Sequence, residues 1–283
     1  MFPRLEGAAI VGRDTFKNDD ASIASQITRI KELPEQPDVI MLCSVMPGAA
    51  AAVRQLRADL ALALRAAYHY GLSEGVCNHF SVELADGSGR FLLNPQGLLW
   101  QEVQADDIVL IDVQGHRLAG RHPVESTAMH IHSAIHRLAG KACVLHTHMP
   151  YATALTLTQD RALDTTLSQN AMRFHGRVGT DPVYNGLALD HAEGERIARA
   201  MGTADVVFLG NHGVVVCGPR IDHAYDDLYY LERACMAQVM AASSGLAPSA
   251  RRRAMPCAMR AAPSRPARSI AATSMASRDG KCA

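Results

Sequence analysis

The sequence has no excess of charge of either sign. Its 28 basic and 28 acidic residues give a formal net charge of zero. Proteins that bind nucleic acid or anionic membranes through their overall charge are basic, and this balance excludes that mode of binding. We therefore expect neither nucleic acid nor a membrane as a partner, and a ligand must be recognised by a local site.

Paired cysteines and long apolar runs are also lacking. The seven cysteines are scattered without a CxxC pair or zinc-finger spacing, which is typical of reduced thiols in a cytoplasmic protein. No apolar run reaches the roughly 18 residues needed to span a bilayer. Glu6 and Arg13 interrupt the N-terminal apolar stretch, which makes it a poor signal peptide. These features together predict a cytoplasmic protein.

Composition divides the chain into three parts. Residues 1–50 mix short apolar pieces with charged runs and prolines, which predicts a loosely packed N-terminal extension. Residues 51–246 carry regular apolar patterns and form the predicted domain. Residues 247–283 are rich in Ala, Ser, Pro and Arg, with eight basic residues against the single acidic Asp279. Such a segment buries too little apolar surface to offset its ordering entropy, and it is predicted to be a disordered basic tail.

Helical and strand patterns alternate in the predicted domain. Apolar residues at helical spacing predict a helix over 53–70 that ends at Gly71. Strands are predicted over 80–84 and 90–93 with a turn between them, and over 108–113, 142–148, 203–209 and 214–217. Further helices are predicted over 126–138, from Pro150, and over 224–240. This alternation favours an α/β fold.

The most informative feature of the composition is the presence of thirteen histidines. Histidine serves both as a metal ligand and as an acid or base near neutral pH. Side chains alternate along a strand, so His146 and His148 lie on the same side where the predicted strand ends. His212 follows an apolar strand in a tight turn and can supply a third imidazole. A catalytic metal site typically has three protein ligands and an open position. From spacing alone, a metal-binding triad and ordinary hydrogen-bonding histidines are equal alternatives.

A second cluster competes with this triad. His132 and His136 stand four residues apart on one face of a predicted helix, together with the nearby His130. The sequence lacks the glutamate that an HExxH metal motif places between its histidines. Apolar neighbours mark this helix as one that packs on the sheet, which favours buried, hydrogen-bonded histidines over ligands.

Five short motifs then occur in a fixed order. They are Gly-Leu-Ser-Glu-Gly-Val-Cys-Asn-His-Phe-Ser-Val (71–82), Leu-Asn-Pro-Gln-Gly (93–97), Ala-Asp-Asp-Ile-Val (105–109), His-Thr-His (146–148) and Gly-Asn-His-Gly (210–213). In this order they resemble the class II aldolase/adducin family, over about residues 53–245. Leu-Ser-Gln (167–169) and Arg-Phe-His-Gly-Arg-Val (173–178) look closer to its uncharacterised bacterial branch.

The resemblance implies a fold, an assembly and a chemistry. The family fold is a three-layer α/β/α sandwich with a central mixed, largely antiparallel sheet, and its enzymes, such as fuculose-phosphate aldolase and ribulose-phosphate epimerase, are usually homotetramers. By resemblance, His146, His148 and His212 match zinc ligands, with Mn, Co or Mg as other candidate ions. A divalent ion would polarise a small hydroxy-carbonyl substrate and stabilise an enediolate. We therefore expect a metal-dependent carbon-carbon lyase of the aldolase type, with epimerisation and decarboxylation as alternatives.

The sequence departs from the family pattern at the expected acid/base. Ser126 and Thr127 match two serines of a family Ser-Ser-Glu run, and Ala128 occupies the glutamate position. Glu125 is the candidate catalytic residue in its place, although it also suits a helix N-terminus, where a negative charge is favourable. His130 is a further candidate proton carrier.

The family's anion pocket is kept in part. Asn78 and Gly97 are carried over from the motifs, and Ser126 and Thr127 remain as hydroxyl donors, so these four are the predicted substrate-binding residues. Because one family glycine is replaced by Cys77, a phosphate, a carboxylate and a neutral diol all stay open as the bound group.

A different class of function is also open. An adducin-like, noncatalytic domain would use the same fold for assembly and interaction. Adducin heads generally lack the histidine triad, and its presence in this sequence favours the enzyme.

Overall fold

The computed structural model describes residues 2–6, 9–14, 47–160 and 162–246. The predicted tail at 247–283 and most of the predicted extension at 1–50 lie outside the described residues. The chain divides into two compact units at the boundary between Gln55 and Leu56. Within the first unit, strands β1 (Phe2–Glu6) and β2 (Ala9–Asp14) pair antiparallel, a hairpin that the sequence did not predict.

The remaining elements follow in chain order. They are α1 (Pro47–His69), β3 (His79–Glu83), β4 (Phe91–Leu93), a 3₁₀ turn (Ala105–Asp107), β5 (Val109–Ile111), β6 (Arg117–Ala119), α2 (Ser126–Ala139), β7 (Cys143–Thr147), α3 (Pro150–Thr156), α4 (Gln169–Met172), β8 (Val178–Asp181), α5 (His191–Met201), β9 (Val206–Leu209), β10 (Gly213–Gly218) and α6 (Ile221–Ser243).

Strands β3 to β10 form one sheet in the order β6-β5-β4-β3-β7-β10-β9-β8. Every neighbouring pair is antiparallel except β8 and β9, which run parallel. The expected mixed, largely antiparallel sheet is therefore confirmed. Strand β7 lies in the middle of the sheet, between β3 and β10.

Helices cover the sheet on both faces. Ile131 and Ile135 of α2 share a buried cluster with Ile197 of α5 and with Val144 and Val215 of the sheet. Since strand residues alternate, the neighbours of Val144 point to the opposite face, where α6 packs on β7 and β10. This arrangement explains why β7 and β9 are buried at every position.

The predicted elements recur with shifted ends. The first helix buries the apolar face of Leu60, Leu64 and Ala67, as its spacing predicted. Strand β7 ends at Thr147, so His148 lies just beyond the strand and not within it. In the described part of the chain, no helix has both the length and the apolar surface needed to cross a bilayer.

Candidate metal centre

His146 is held in the middle of the sheet. It lies opposite His79 of β3 on one side and Val215 of β10 on the other, and it is buried. Its Nδ1–H donates to the Val214 carbonyl at 3.0 Å, an assignment that follows because a carbonyl can only accept. Nε2 therefore keeps its lone pair and is the ring nitrogen available to a ligand.

His148 is fixed by two contacts with residues that precede β3 in the sequence. Its backbone N–H donates to Asn78 Oδ1 at 3.1 Å, and its Nδ1 contacts Glu74 Oε2 at 2.5 Å. Its Nε2 is buried and has no hydrogen-bond partner in the described part of the chain. A buried polar atom without a partner is energetically unfavourable, and coordination of a metal ion would satisfy it.

His212 is presented by a tight turn between β9 and β10. Asn211 adopts a positive φ of 58°, a conformation that asparagine tolerates better than most residues. At Gly213, a Cβ atom would come within 2.6 Å of the Thr147 carbonyl oxygen and 2.7 Å of His148 Cδ2. The Asn-His-Gly sequence thus combines the turn with the close approach that the site requires.

The three histidines come together as the sequence predicted. One nitrogen from each of His146, His148 and His212 lies within 4.8 Å of the others. Burial first, and then the neighbouring imidazoles, lower the pKa of His146 well below its ordinary value and that of His212 to about 4. The rings of His146 and His212 are therefore neutral at pH 7, the state in which imidazole binds a metal. Three imidazole nitrogen donors, one of them the buried and unpartnered Nε2 of His148, fit a divalent cation.

The triad opens into a cavity of about 150 Å³. The other walls of this cavity come from β3, α2, the end of β9, α5 and the loop between β8 and α5. They include His79 of β3, Thr127 of α2 and Tyr184 of the loop. An ion held by three protein ligands at such an opening would keep a coordination position for a small molecule.

Glu125 does two things at the edge of this cavity. As the residue before α2, it caps the helix by accepting the Ala128 N–H at 2.9 Å, which is the role that its position suggested. It also contacts His79 Nε2 at 3.2 Å. Burial alone would raise the pKa of Glu125, but hydrogen bonds from His79, Thr127 and the Ala128 N–H outweigh burial and hold it at about 2.

His79 and Glu74 were not singled out by the sequence. The ring of His79 stacks on that of His146, with centroids 6.3 Å apart, and lines the cavity. Both residues belong to the 71–82 motif, but only the pairing of β3 with β7 shows that His79 lies opposite His146.

The predicted substrate-binding residues are distributed unevenly around the site. Asn78 is buried beside His148, and its Nδ2 has no partner among the described residues. Thr127 lines the cavity, whereas Gly97 and the exposed Ser126 are not among its described lining residues. The Gln96 N–H donates to the Pro123 carbonyl, which brings the loop of Gly97 beside the segment that precedes α2.

Ala128 is fully buried in an apolar cluster with Phe91, Leu93, Val109 and Ile111. The position where the family pattern has its glutamate therefore faces the core in this chain. An acid/base at the cavity must come from another residue.

The competing histidines are engaged in hydrogen bonds. His132 Nδ1 and His136 Nε2 both contact Ser81 Oγ, at 2.6 and 2.7 Å, and His136 Nδ1–H donates to the Lys141 carbonyl. His130 packs edge-on against His191 of α5, with ring centroids 4.6 Å apart. This geometry supports the interpretation of His132 and His136 as buried, hydrogen-bonded histidines. His130 Nδ1 and His132 Nε2 are buried without a hydrogen-bond partner among the described residues.

Comparison with known proteins places these features in a family. Residues 58–239 match the family described as Class II Aldolase and Adducin N-terminal domain. A Pseudomonas aeruginosa protein named for aldolase class 2 is 33% identical over 197 residues, which cover 69% of this chain and 74% of that protein. Rat alpha-adducin is 29% identical over 68% of this chain, but the match covers 26% of that longer protein.

Solved structures agree on the fold. An aldolase II superfamily protein from Pseudomonas syringae is 34% identical, with a TM-score of 0.64 over 68% of this chain and 77% of that one. The L-fuculose 1-phosphate aldolase of Glaciozyma antarctica is 24% identical, with a TM-score of 0.63 over 75% of this chain and 82% of that one. At that identity, the second likeness concerns the fold alone.

Proposed function

The chain belongs to the class II aldolase and adducin family, and from this premise we propose that it is a metal-dependent carbon-carbon lyase of the aldolase type. Its substrate is a small hydroxy-carbonyl compound. The observation that carries the proposal is the convergence of His146, His148 and His212 at the opening of a cavity. Epimerisation and decarboxylation of the same class of substrate are the alternative reactions.

The three histidines would each hold the ion through one ring nitrogen. In His146 and His148 this is Nε2, because Nδ1 already contacts the Val214 carbonyl and Glu74, respectively. When bound, a divalent ion polarises a carbonyl and stabilises the negative charge that develops on the substrate oxygens. We propose zinc as the ion, with manganese, cobalt or magnesium as alternatives.

Binding and orientation of the substrate fall to residues around the opening. Thr127 lines the cavity, and Asn78 keeps a buried amide nitrogen without a partner in the described chain. We propose that these two, with Gly97 and Ser126, hold the oxygen atoms of the substrate. An unpaired buried donor such as Asn78 Nδ2 is stabilised when a ligand oxygen accepts from it.

The proton carrier is proposed to be a pair, Glu125 with His79. A carboxylate with a pKa of about 2 is a weak base by itself. Its contact with His79 Nε2 would keep the proton on that nitrogen and orient the ring. Glu125 thereby contributes to catalysis through His79, whose ring lines the cavity.

Metal analysis of purified protein tests the proposal. We expect the protein to retain close to one zinc or manganese ion per chain, and His146→Ala to abolish retention. His116→Ala, which changes an exposed histidine that contacts Asp112, is the matched control and should retain the ion. Retro-aldol cleavage is then screened with phosphorylated and unphosphorylated ketoses and hydroxyacids. Absence of a stoichiometric metal in the wild type would refute the proposal.

The second candidate function is a noncatalytic, adducin-like assembly domain. It is supported by the similarity to alpha-adducin over 68% of this chain. It predicts a folded protein that retains no metal and cleaves no substrate, so the same metal analysis separates the two functions.

For either function we propose a homotetramer in the cytoplasm. The family resemblance supports the assembly, and the scattered cysteines support the compartment, with Cys77, Cys143, Cys217 and Cys235 free in the described chain.

A further inference from the structure

The cavity beside the triad has two chemically different ends. His146, His148 and His212 form one end, where a chelating group of a substrate would lie. The other lining residues, which we call the second end, come from α2, from the end of β9, from one face of α5 and from the loop that joins β8 to α5. The residues of this second end indicate what the remote part of the substrate must be.

Apolar side chains form much of the second end. Ile131, Ile197 and Leu209 line it while being only 3–5% exposed, and all three belong to one buried core cluster. Val183 and Leu187 add apolar surface from the loop. An apolar group of a ligand that enters this end leaves water for an apolar wall, which is favourable by about 25 cal/mol for each Å² buried.

The charged residues at this end are already paired with one another. The guanidinium of Arg196 donates from Nη1 to both carboxylate oxygens of Asp181, at 2.9 and 2.8 Å. Its Nε and Nη2 donate to the two oxygens of Glu193, at 2.9 and 2.7 Å. These hydrogen bonds, to Glu193 first and then to Asp181, raise the pKa of Arg196.

Two carboxylates against one guanidinium leave a net negative charge at this end. Asp181 is only 2% exposed, so solvent screens its charge weakly. Arg196 Nη2 also donates to the Val183 carbonyl at 3.3 Å, so all five guanidinium N–H groups are engaged. A carboxylate or phosphate on the remote part of a ligand would therefore find no free N–H donor on Arg196 and would be repelled by this charge. An uncharged group meets no such repulsion.

We propose that the substrate is a short hydroxy-carbonyl compound whose remote end is uncharged and apolar, and that this end packs against Ile131, Ile197 and Leu209. The inference rests on the proposed function, because it requires the hydroxy-carbonyl end to lie at the triad. The whole cavity, at about 150 Å³, has the size that admits one benzene molecule. Because it must also hold the hydroxy-carbonyl end, the remote group is a short alkyl group.

A matched set of 2-hydroxy acids tests this inference on the cobalt-loaded full-length protein. Glycolate supplies the chelating end alone, whereas 2-hydroxy-4-methylpentanoate and malate add remote groups of nearly equal shape, one apolar and one charged. Dissociation constants are measured from the visible cobalt spectrum. We expect 2-hydroxy-4-methylpentanoate to bind at least about tenfold more tightly than malate, and more tightly than glycolate. Malate binding as tightly as 2-hydroxy-4-methylpentanoate, or more tightly, would overturn the inference.

Failure of the proposed function has a different signature in the same titration. If the protein takes up no cobalt, the metal site itself is refuted. If it takes up cobalt but glycolate does not change the spectrum, the proposed binding of a hydroxy-carbonyl group at the triad is refuted. If glycolate binds and the apolar acid gains nothing over it, only the inference about the remote end is refuted.

Two pairs of variants localise the effect. Ile131→Ala should weaken binding of 2-hydroxy-4-methylpentanoate relative to glycolate about threefold to tenfold. Ile135→Ala should not, because Ile135 shares the helix and the core cluster with Ile131 but does not line the cavity.

The second pair of variants tests the charge at this end. Glu193→Gln should tighten malate binding relative to the apolar acid. Glu195→Gln, on the same helix but paired with Arg137 and Arg199, should not. Equal responses within either pair contradict the assignment of this end of the cavity.

Discussion

The contact between Glu74 Oε2 and His148 Nδ1, at 2.5 Å, determines which nitrogen of that imidazole is free. A carboxylate behind a ligating histidine fixes its tautomer and raises its basicity, and losing such a partner typically weakens metal binding 10- to 100-fold. We predict a loss of this size in zinc affinity for Glu74→Gln, measured by competition with a chromophoric chelator.

The control for this prediction is Glu102→Gln. That glutamate is also exposed, but its carboxylate accepts the Leu99 N–H. Its replacement should leave zinc affinity unchanged. If both variants bind zinc like the wild type, the Glu74 carboxylate has no part in metal binding.

Gly213 offers a second test at the scale of one residue. An added Cβ would lie 2.7 Å from His148 Cδ2 and 2.6 Å from the Thr147 carbonyl oxygen, closer than real Cβ atoms approach. We predict that Gly213→Ala costs about 1–3 kcal/mol in the free energy of unfolding and also weakens zinc binding, because the imidazole must move. Denaturant unfolding and chelator competition measure the two effects.

Gly179 of β8 provides the comparison, since its added Cβ would meet no atom nearer than 3.2 Å. Gly179→Ala should therefore cost less stability and leave zinc affinity intact. A loss of stability in Gly213→Ala without any loss of zinc affinity would contradict the close packing of this glycine against the metal site.

The residues of the site differ in how far the sequence could reveal them. His146, His148 and His212 were found because each stands at the end of a readable apolar strand. The part taken by His79 depends on its register opposite His146 across β3 and β7, a long-range pairing that no local pattern encodes. The Glu74 contact joins residues 74 positions apart, and it could not be predicted for the same reason.

At the scale of elements, the start of α3 is held by a residue of another helix. Glu232 of α6 is buried and accepts the N–H groups of Tyr151 and Ala152, at 2.8 and 2.9 Å. Burial raises its pKa although both N–H donors act in the opposite direction. Because α3 begins two residues after His148, this contact connects the metal site to α6.

Glu232→Gln should weaken this connection, because an amide has one acceptor oxygen where the carboxylate has two. We predict a loss of about 1–3 kcal/mol in the free energy of unfolding, and a smaller loss of zinc affinity than Glu74→Gln causes. Urea unfolding of the metal-free protein and chelator competition are the measurements. Wild-type stability in this variant would show that the contact does not hold the helix.

The elements that were predicted share a strong apolar pattern. Helices α2 and α6 and strands β3, β7 and β10 were placed to within three residues at each end, and α1 was found but begins six residues before its predicted start. Strand β8 and helix α5 were not, because Val178–Asp181 has little apolar character and α5 contains Gly194. Gly194 is required there by close packing, since a Cβ would lie 2.3 Å from the His130 carbonyl oxygen. The tertiary contact overrides the helix propensity at this position.

For the whole molecule, the buried histidines make folding sensitive to acid. Burial lowers the pKa of His136 to about 4 and that of His132 well below its ordinary value. Such groups bind protons more readily in the unfolded chain, where the ordinary pKa of about 6.5 applies. Their contribution to stability is therefore complete above pH 6.5 and is lost as the pH falls from 6.5 toward 4.

The resulting prediction concerns the free energy of unfolding of the metal-free protein at pH 7.5 and pH 5. From a shift of the His136 pKa to about 4, this residue alone should account for a loss of about 2 kcal/mol between these two values. Urea unfolding in the presence of a chelator measures the difference and removes the separate effect of metal binding. His136→Gln should reduce the difference by this amount even if it lowers stability at both pH values, whereas His116→Gln, at an exposed position, should not. If both variants keep the wild-type difference, the acid sensitivity does not arise from His136.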